Sequence, residues 1–240
     1  MANWERYYAS TEVKGFGIHA PYYEYLLECF CGELEAHLDP HEVIQVGLGG
    51  IDPTVTSPEE FIAICRKVIK THAFSPHIID QNHQALESLA GVFQTVLSQL
   101  EALPPSLPPL HLLVCDYTLD FMTDQQITKL NQTLPHHLHP LGLLMVATDN
   151  EAFPTIGSFA SRFFRGVNIY PRSPEKLIGL LPNFKPVFIT HNDGACFQSY
   201  ILTLAHKDSP IPEHKGAAHG LMYDEGHFPD WCQEHGYHIT

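Results

Sequence analysis

Three apolar runs in this chain end on residues that could hold a ligand. "VIQVGLGG" (Val43–Gly50) runs through β-branched residues into Gly47, Gly49 and Gly50, "HIID" ends at Asp80, and "HLLVCD" ends at Asp116. A glycine turn after a buried strand lets a ligand lie against bare backbone. A carboxylate ending the next strand can accept hydrogen bonds from a ribose diol. The dinucleotide fingerprint needs glycines at the first, third and sixth places of the turn. Gly47 and Gly49 fill the first two, but the sixth place is Asp52, whose charge would repel a pyrophosphate at a helix start. Asp80 also lies beyond the usual spacing of about 20 residues. No Gly-Lys-Ser/Thr follows the glycines, which excludes a phosphate-binding P-loop. The residues favour a cationic ligand that carries a ribose and no phosphate. The plain alternatives are a strand-to-helix turn at the glycines, a helix-start partner at Asp80 and a turn cap at Asp116.

The elements that must position these residues alternate. "YYEYLLECFCGELEAHL" sets Tyr23, Leu26, Leu27, Phe30 and Leu34 on one helical face. After the "EVIQVG" strand, Ser57, Pro58 and Glu60 open a capped helix with Phe61, Ile64, Cys65 and Val68 inside. Leu86, Leu89, Ala90, Phe93, Val96, Leu97 and Leu100 keep a helical period and predict a helix of about four turns. "LPPSLPPL" is an extended connector. Thr123 and Gln126 form a capping-box pattern before Ile127 and Leu130, "LGLLMVATD" is a long buried strand, and Ser173 caps a further helix. "KPVFIT" and "CFQSYILTLAHK", joined by "HNDGA", must be antiparallel. Alternation of this kind predicts a doubly wound, three-layer α/β sandwich with a mostly parallel sheet. The expected organisation is a helical N-terminal lid (1–40), a Rossmann-like core (41–207) and a His-rich tail (208–240).

The chain has 240 residues, 44% of them apolar, enough for one sizeable core. A net charge of −14 argues against nucleic acid or an anionic membrane as partner. The 6 cysteines are scattered through apolar runs, which suits buried free thiols in a reducing compartment. With no signal-peptide pattern and no membrane-spanning run, the expected location is the cytoplasm. Nothing in the sequence specifies an oligomeric state.

Taken in order, these features resemble the class I S-adenosylmethionine-dependent methyltransferases over about Tyr7 to Lys207. "VIQVGLGG" looks like the first motif of that family, "HIIDQNHQAL" like its second strand and ribose-binding acid, and "HLLVCDYTLDFMTDQQITKLNQTLPHHLHPLGLLMVAT" like its fourth strand through its fifth. "KPVFIT…CFQSYILTLAHK" resembles the closing hairpin. The resemblance implies a seven-stranded sheet with only the last strand reversed. It implies S-adenosylmethionine as cofactor, held by Gln45, Gly47, Leu48, Gly49, Asp80, Gln81, Asp116 and Tyr117, and a small-molecule methyl acceptor. Methyl transfer is an in-line displacement in which a histidine or tyrosine could act as base. Tyr8, His19 and His191 are the catalytic candidates, with Tyr7, Arg162 and Arg165 lining the pocket. The bland readings are lid packing for the tyrosines and turn chemistry for His191 beside Asn192-Asp193-Gly194. The chain departs from the family pattern in three places. Gln45 stands where an acid is usual, Ile51 stands where the third glycine would fall, and no third strand can be placed unless "HLLVCD" is that strand.

Two other readings stay open: an inactive methyltransferase-like binding protein, and a nicotinamide-dependent enzyme. A parallel last strand would exclude the methyltransferase fold. The histidines of "PHHLHP" (His136, His137, His139) and of the tail suggest a metal, but three or four ligands fixed by supporting partners are needed. No metal site is expected.

Overall fold

The structure is a computed structural model and describes residues 20–50, 58–87, 89–151, 168–194, 197–211 and 234. Among the described residues the elements are, in order, α1 (Ala20–His37), β1 (Ile44–Gly49), α2 (Pro58–Val68), β2 (Phe74–Asp80), α3 (His83–Glu87), β3 (Gln94–Leu97), β4 (Leu110–Asp116), α4 (Asp124–Thr133), β5 (Leu138–Asp149), α5 (Pro174–Leu180), β6 (Phe184–Gly194) and β7 (Phe197–His206). They form one seven-stranded sheet in the order β3-β2-β1-β4-β5-β7-β6. The β1–β2, β2–β3, β1–β4 and β4–β5 pairs are parallel. β7 runs antiparallel to both β5 and β6. The expected reversed last strand is therefore present, inserted between its two neighbours.

Each face of the sheet carries its own core. On one, Ile44, Val46, Leu48, Ile78, Leu112 and Val114 pack beneath Tyr23, Leu26 and Leu27 of α1 and Phe61, Ile64, Cys65 and Val68 of α2. On the other, Ile79, Leu113, Cys115, Leu144 and Val146 pack beneath Ile127 and Leu130 of α4 and Leu177 of α5. The alternation of strand residues between these cores is the two-residue period of a sheet buried on both faces. Helix starts follow the sequence. Thr123 and Gln126 make the reciprocal capping box of α4, and the Ser173 side chain accepts the Lys176 amide at α5. The Ser57 cap lies outside the described residues.

The helix expected over Leu86–Leu100 is overturned. Only His83–Glu87 is helical; the chain then turns, and Gln94–Leu97 becomes β3, followed by a 3₁₀ turn at Leu100–Ala102. Gly91, at φ +90°, interrupts the helical path. Thr95 and Val96 then pair with Ile78 and Ile79, so β2 does not leave its outer backbone groups unbonded. This supplies the missing third strand and fixes "HLLVCD" as the fourth.

Candidate active site

In an open parallel sheet, ligands bind outside the carboxyl ends of the strands where the strand order reverses. Here that point lies between β1 and β4. Three strands around it end in aspartate: β2 at Asp80, β4 at Asp116 and β5 at Asp149, each 5% exposed or less. The residues two places before them, Ile78, Val114 and Ala147, all belong to the core beneath α1 and α2. By strand alternation the three carboxylates point to that same side. The registers Gly49↔Ile79 and Leu48↔Val114 set Gly50 level with Asp80 on one side and Asp116 on the other.

Each acid is held in place. Asp80 Oδ1 accepts the Asn82 amide at 2.6 Å, and its carbonyl accepts the Ser98 amide at 2.9 Å. The Tyr23 hydroxyl, brought over the sheet by α1, donates to Asp116 Oδ1 at 2.7 Å. Burial, then the Asp116 charge, pushes the Tyr23 phenol well above its usual range, so it stays a donor. The Asp149 amide donates to Asp120 Oδ2 at 3.1 Å, and the Thr148 hydroxyl donates to Asp120 Oδ1. Burial and the Asp149 charge raise the Asp120 carboxyl. Tyr117 is at φ 54°, an uncommon left-handed conformation for a non-glycine residue. Burial and the Asp149 and Asp116 charges hold its phenol protonated, with Ser199 of β7 as hydrogen-bond partner.

Among the described residues, one buried cation near this edge is already committed. Arg172, 1% exposed, gives Nε and Nη2 to Asp124 Oδ1 (2.9 and 2.8 Å) and its remaining donors to the carbonyls of Leu119, Tyr170 and Met122. It bolts the 3₁₀ turn after β4 to the start of α4.

Gly47 and Gly49 do more than turn the chain. A Cβ at Gly47 would meet Leu110 and Leu113 at 3.0 Å, and one at Gly49 would meet Leu100 at 2.8 Å and Cys115 at 3.0 Å. Their bare faces are filled by the core beneath α4. Gly50 is different: its φ is +77°, and a Cβ there would lie 2.5 Å from Thr118 Oγ1.

Of the residues named from the sequence, the fold brings Gly49, Asp80, Gln81, Asp116 and Tyr117 to the carboxyl ends of β1, β2 and β4, and leaves Gly47 and Leu48 inside β1, level with Leu113 and Val114. It does not bring Gln45 there. The Gln45 amide sits toward the amino end of β1, with Oε1 2.8 Å from His77 Nε2 and Nε2 donating to the Val43 carbonyl at 3.2 Å. Burial lowers the His77 imidazole. Tyr7, Tyr8, His19, Ile51, Asp52, Arg162 and Arg165 lie outside the described residues. His191 lies in β6, its backbone paired with Tyr200. Asp149, Thr118 and the Tyr23 hydroxyl were not among the candidates read from the sequence. The recurrence of aspartate at the ends of "HIID", "LLVCD" and "MVATD" was the signal for Asp149.

A second polar cluster lies at the amino edge. Ligand-type atoms of Glu42, His111 and His139 fall within 4.8 Å of one another, a spacing a divalent cation could use. The hydrogen bonds point elsewhere. His111 Nδ1 accepts the Gln45 amide at 3.0 Å, and His139 Nδ1 accepts the Leu141 amide at 3.2 Å. Each neutral ring must then carry its proton on Nε2, and those protons face Glu42 Oε1 at 3.1 and 3.6 Å. Neither Nε2 has a lone pair to give to a metal.

This architecture, seven strands with a reversed strand seventh in sequence and sixth in place, is the class I S-adenosylmethionine-dependent methyltransferase fold. No protein-family model matches the sequence, and no curated protein matches it either. Solved structures do match in fold. Magnesium protoporphyrin IX methyltransferase (ChlM) from Synechocystis PCC 6803, with bound S-adenosylhomocysteine, superposes with a TM-score of 0.50 at 14% identity over 85% of this chain and 92% of that one. LepI in complex with S-adenosylmethionine gives 0.55 at 11% identity, over 75% of this chain and 46% of that one. A structure described as a pericyclic reaction enzyme also gives 0.55 at 11% identity, over 75% and 47%. The chain therefore spans most of ChlM and about half of the other two. Among the described residues no helix is long and apolar enough to cross a membrane.

Proposed function

We propose that this chain is an S-adenosylmethionine-dependent methyltransferase acting on a small molecule. The observation that carries this reading is the row Asp80–Gly50–Asp116 at the switch point, with Asp149 beyond it, in a fold shared with proteins solved with S-adenosylmethionine or S-adenosylhomocysteine. A rim of carboxylates, with its nearby arginine tied up, fits a cation bearing a ribose and disfavours pyrophosphate. Asp80 would accept from the ribose hydroxyls, the backbone at Gly47–Gly50 would carry the amino-acid end, and Gln81, Asp116 and Tyr117 would line the remainder. The cofactor supplies a methyl group already activated on sulfur. The chain's own work is to align the acceptor and keep water out. Tyr23 over Asp116, and Tyr117 braced by Ser199, supply protonated hydroxyls in a dry setting. Tyr8, His19 and His191 remain the candidate bases, and a cytoplasmic setting suits the buried cysteines.

The test is calorimetric titration with S-adenosylmethionine and S-adenosylhomocysteine, with Asp80→Ala alongside. Micromolar binding that is lost in the variant supports the reading. Absence of heat and of thermal shift at millimolar ligand removes it. One observation favours a second reading, a binding protein without transferase activity: the Gln45 amide is engaged with His77, away from the carboxyl edge. That reading predicts cofactor binding without turnover on any methyl acceptor.

A further inference from the structure

We propose that Thr118 is a latch that occupies the centre of the cofactor site until ligand displaces it; this rests on the cofactor reading above. Thr118 Oγ1 donates to the Gly49 carbonyl at 2.5 Å. The same oxygen and the Thr118 methyl fill the place where a side chain on Gly50 would stand. Gly50 is the point level with both Asp80 and Asp116, so Thr118 packs against the residue that lies between the two acids that would receive the ligand. Its position is enforced. Tyr117, in the left-handed region, turns the chain back over β1, and Arg172 fixes the following turn through the carbonyls of Leu119 and Met122.

In the same rotamer Thr118 Oγ1 lies 3.3 Å from the Asp116 carbonyl, a weaker second acceptor. Release requires the side chain to rotate away from the Gly49 carbonyl. The Gly49 carbonyl, once uncovered, is repaired by an N–H or O–H donor of the ligand. Thr118 thus stands in for the ligand's donor, and the ligand must outcompete it.

The experiment is calorimetric titration of S-adenosylhomocysteine into the wild-type protein, Thr118→Ala and Thr118→Val, each first shown to be folded by a cooperative thermal transition. Alanine removes both bulk and hydroxyl and is expected to tighten binding roughly three- to tenfold, the weight of one net hydrogen bond. Valine keeps the bulk but loses the hydroxyl that holds it over Gly49, and is expected to tighten binding less than alanine. Binding by Thr118→Ala alone also supports the latch. If wild type binds and Thr118→Ala binds equally or more weakly, the latch is overturned and the cofactor reading stands. If Thr118→Val tightens as much as alanine, occupancy by the side chain is overturned. If none of the three binds, both the cofactor reading and the latch fall.

Discussion

Replacing Gly49 with alanine separates two reasons for a glycine at that position. If the residue is bare to let a ligand approach, alanine costs affinity and leaves stability alone. The structure predicts a stability cost, because the new methyl would lie 2.8 Å from Leu100 Cδ2, 3.0 Å from Cys115 Sγ and 3.3 Å from Leu113 Cδ1, all within the core beneath α4. Overpacking of this kind costs about 1–3 kcal/mol. Leu100 is 6% exposed, and truncating a buried leucine to alanine costs about 2–5 kcal/mol. In Gly49→Ala/Leu100→Ala the added methyl enters the space that the leucine leaves. The double variant should therefore be more stable than the sum of the singles by roughly 1–2 kcal/mol. The four proteins are compared by urea and thermal unfolding followed by far-ultraviolet circular dichroism. A cost of about 2 kcal/mol lowers Tm by roughly 4–8 °C in a chain of this size. Additivity within about 0.5 kcal/mol, or an unchanged Tm for Gly49→Ala, would refute the packing argument.

Gly50→Ala meets both Thr118 and a φ of +77°. It should lose about 1–2 kcal/mol for the left-handed backbone alone, a part that Thr118→Ala cannot restore; full rescue in the double variant would contradict the assignment. Arg172→Met leaves the carbonyls of Leu119, Met122 and Tyr170 without their donor and should cost about 1–3 kcal/mol for each that stays buried, read as a fall in urea midpoint. Zinc should not raise Tm through Glu42, His111 and His139; a zinc-dependent rise abolished by His111→Gln would show that the tautomers are misassigned. Burial lowers the imidazoles of His77, His111 and His139 in the folded chain. The unfolded chain then binds protons first, so stability is complete above the ordinary histidine pKa of about 6.5 and declines as pH falls below it toward the lowered folded values. Tm measured from pH 7.5 to 5.5 checks this, and a flat profile contradicts it.

The alternation of strands and helices was legible in the sequence because local rules act there. Ser173 and Thr123 cap their helices through bonds three residues away, and apolar runs such as "LLVCD" have no stable place except a sheet buried on both faces. The reversed β7 followed from the shortness of the hairpin link, but the link itself was misplaced: His191–Gly194, expected as the turn, extend β6 and pair with Phe197–Tyr200 of β7. The glycine turn, Asp80 and Asp116 were legible because a strand's end is marked by where its apolar run stops. Leu86–Leu100 was misread because its apolar residues fit a helix equally well, and only the unbonded edge of β2 decides for β3. Pairing across the sheet also decided the rest. Whether Gln45 reaches the site depends on His77, 32 residues away. Thr118 meets Gly49 across 69 residues, and Tyr23 meets Asp116 across 93. A hydrogen bond of such span leaves no periodic trace in the chain. Every strand except β3 is written into the local pattern of the chain, as are the acids that end β2 and β4; what each acid faces, and that β3 exists at all, depends on strand order and register, which no local pattern carries.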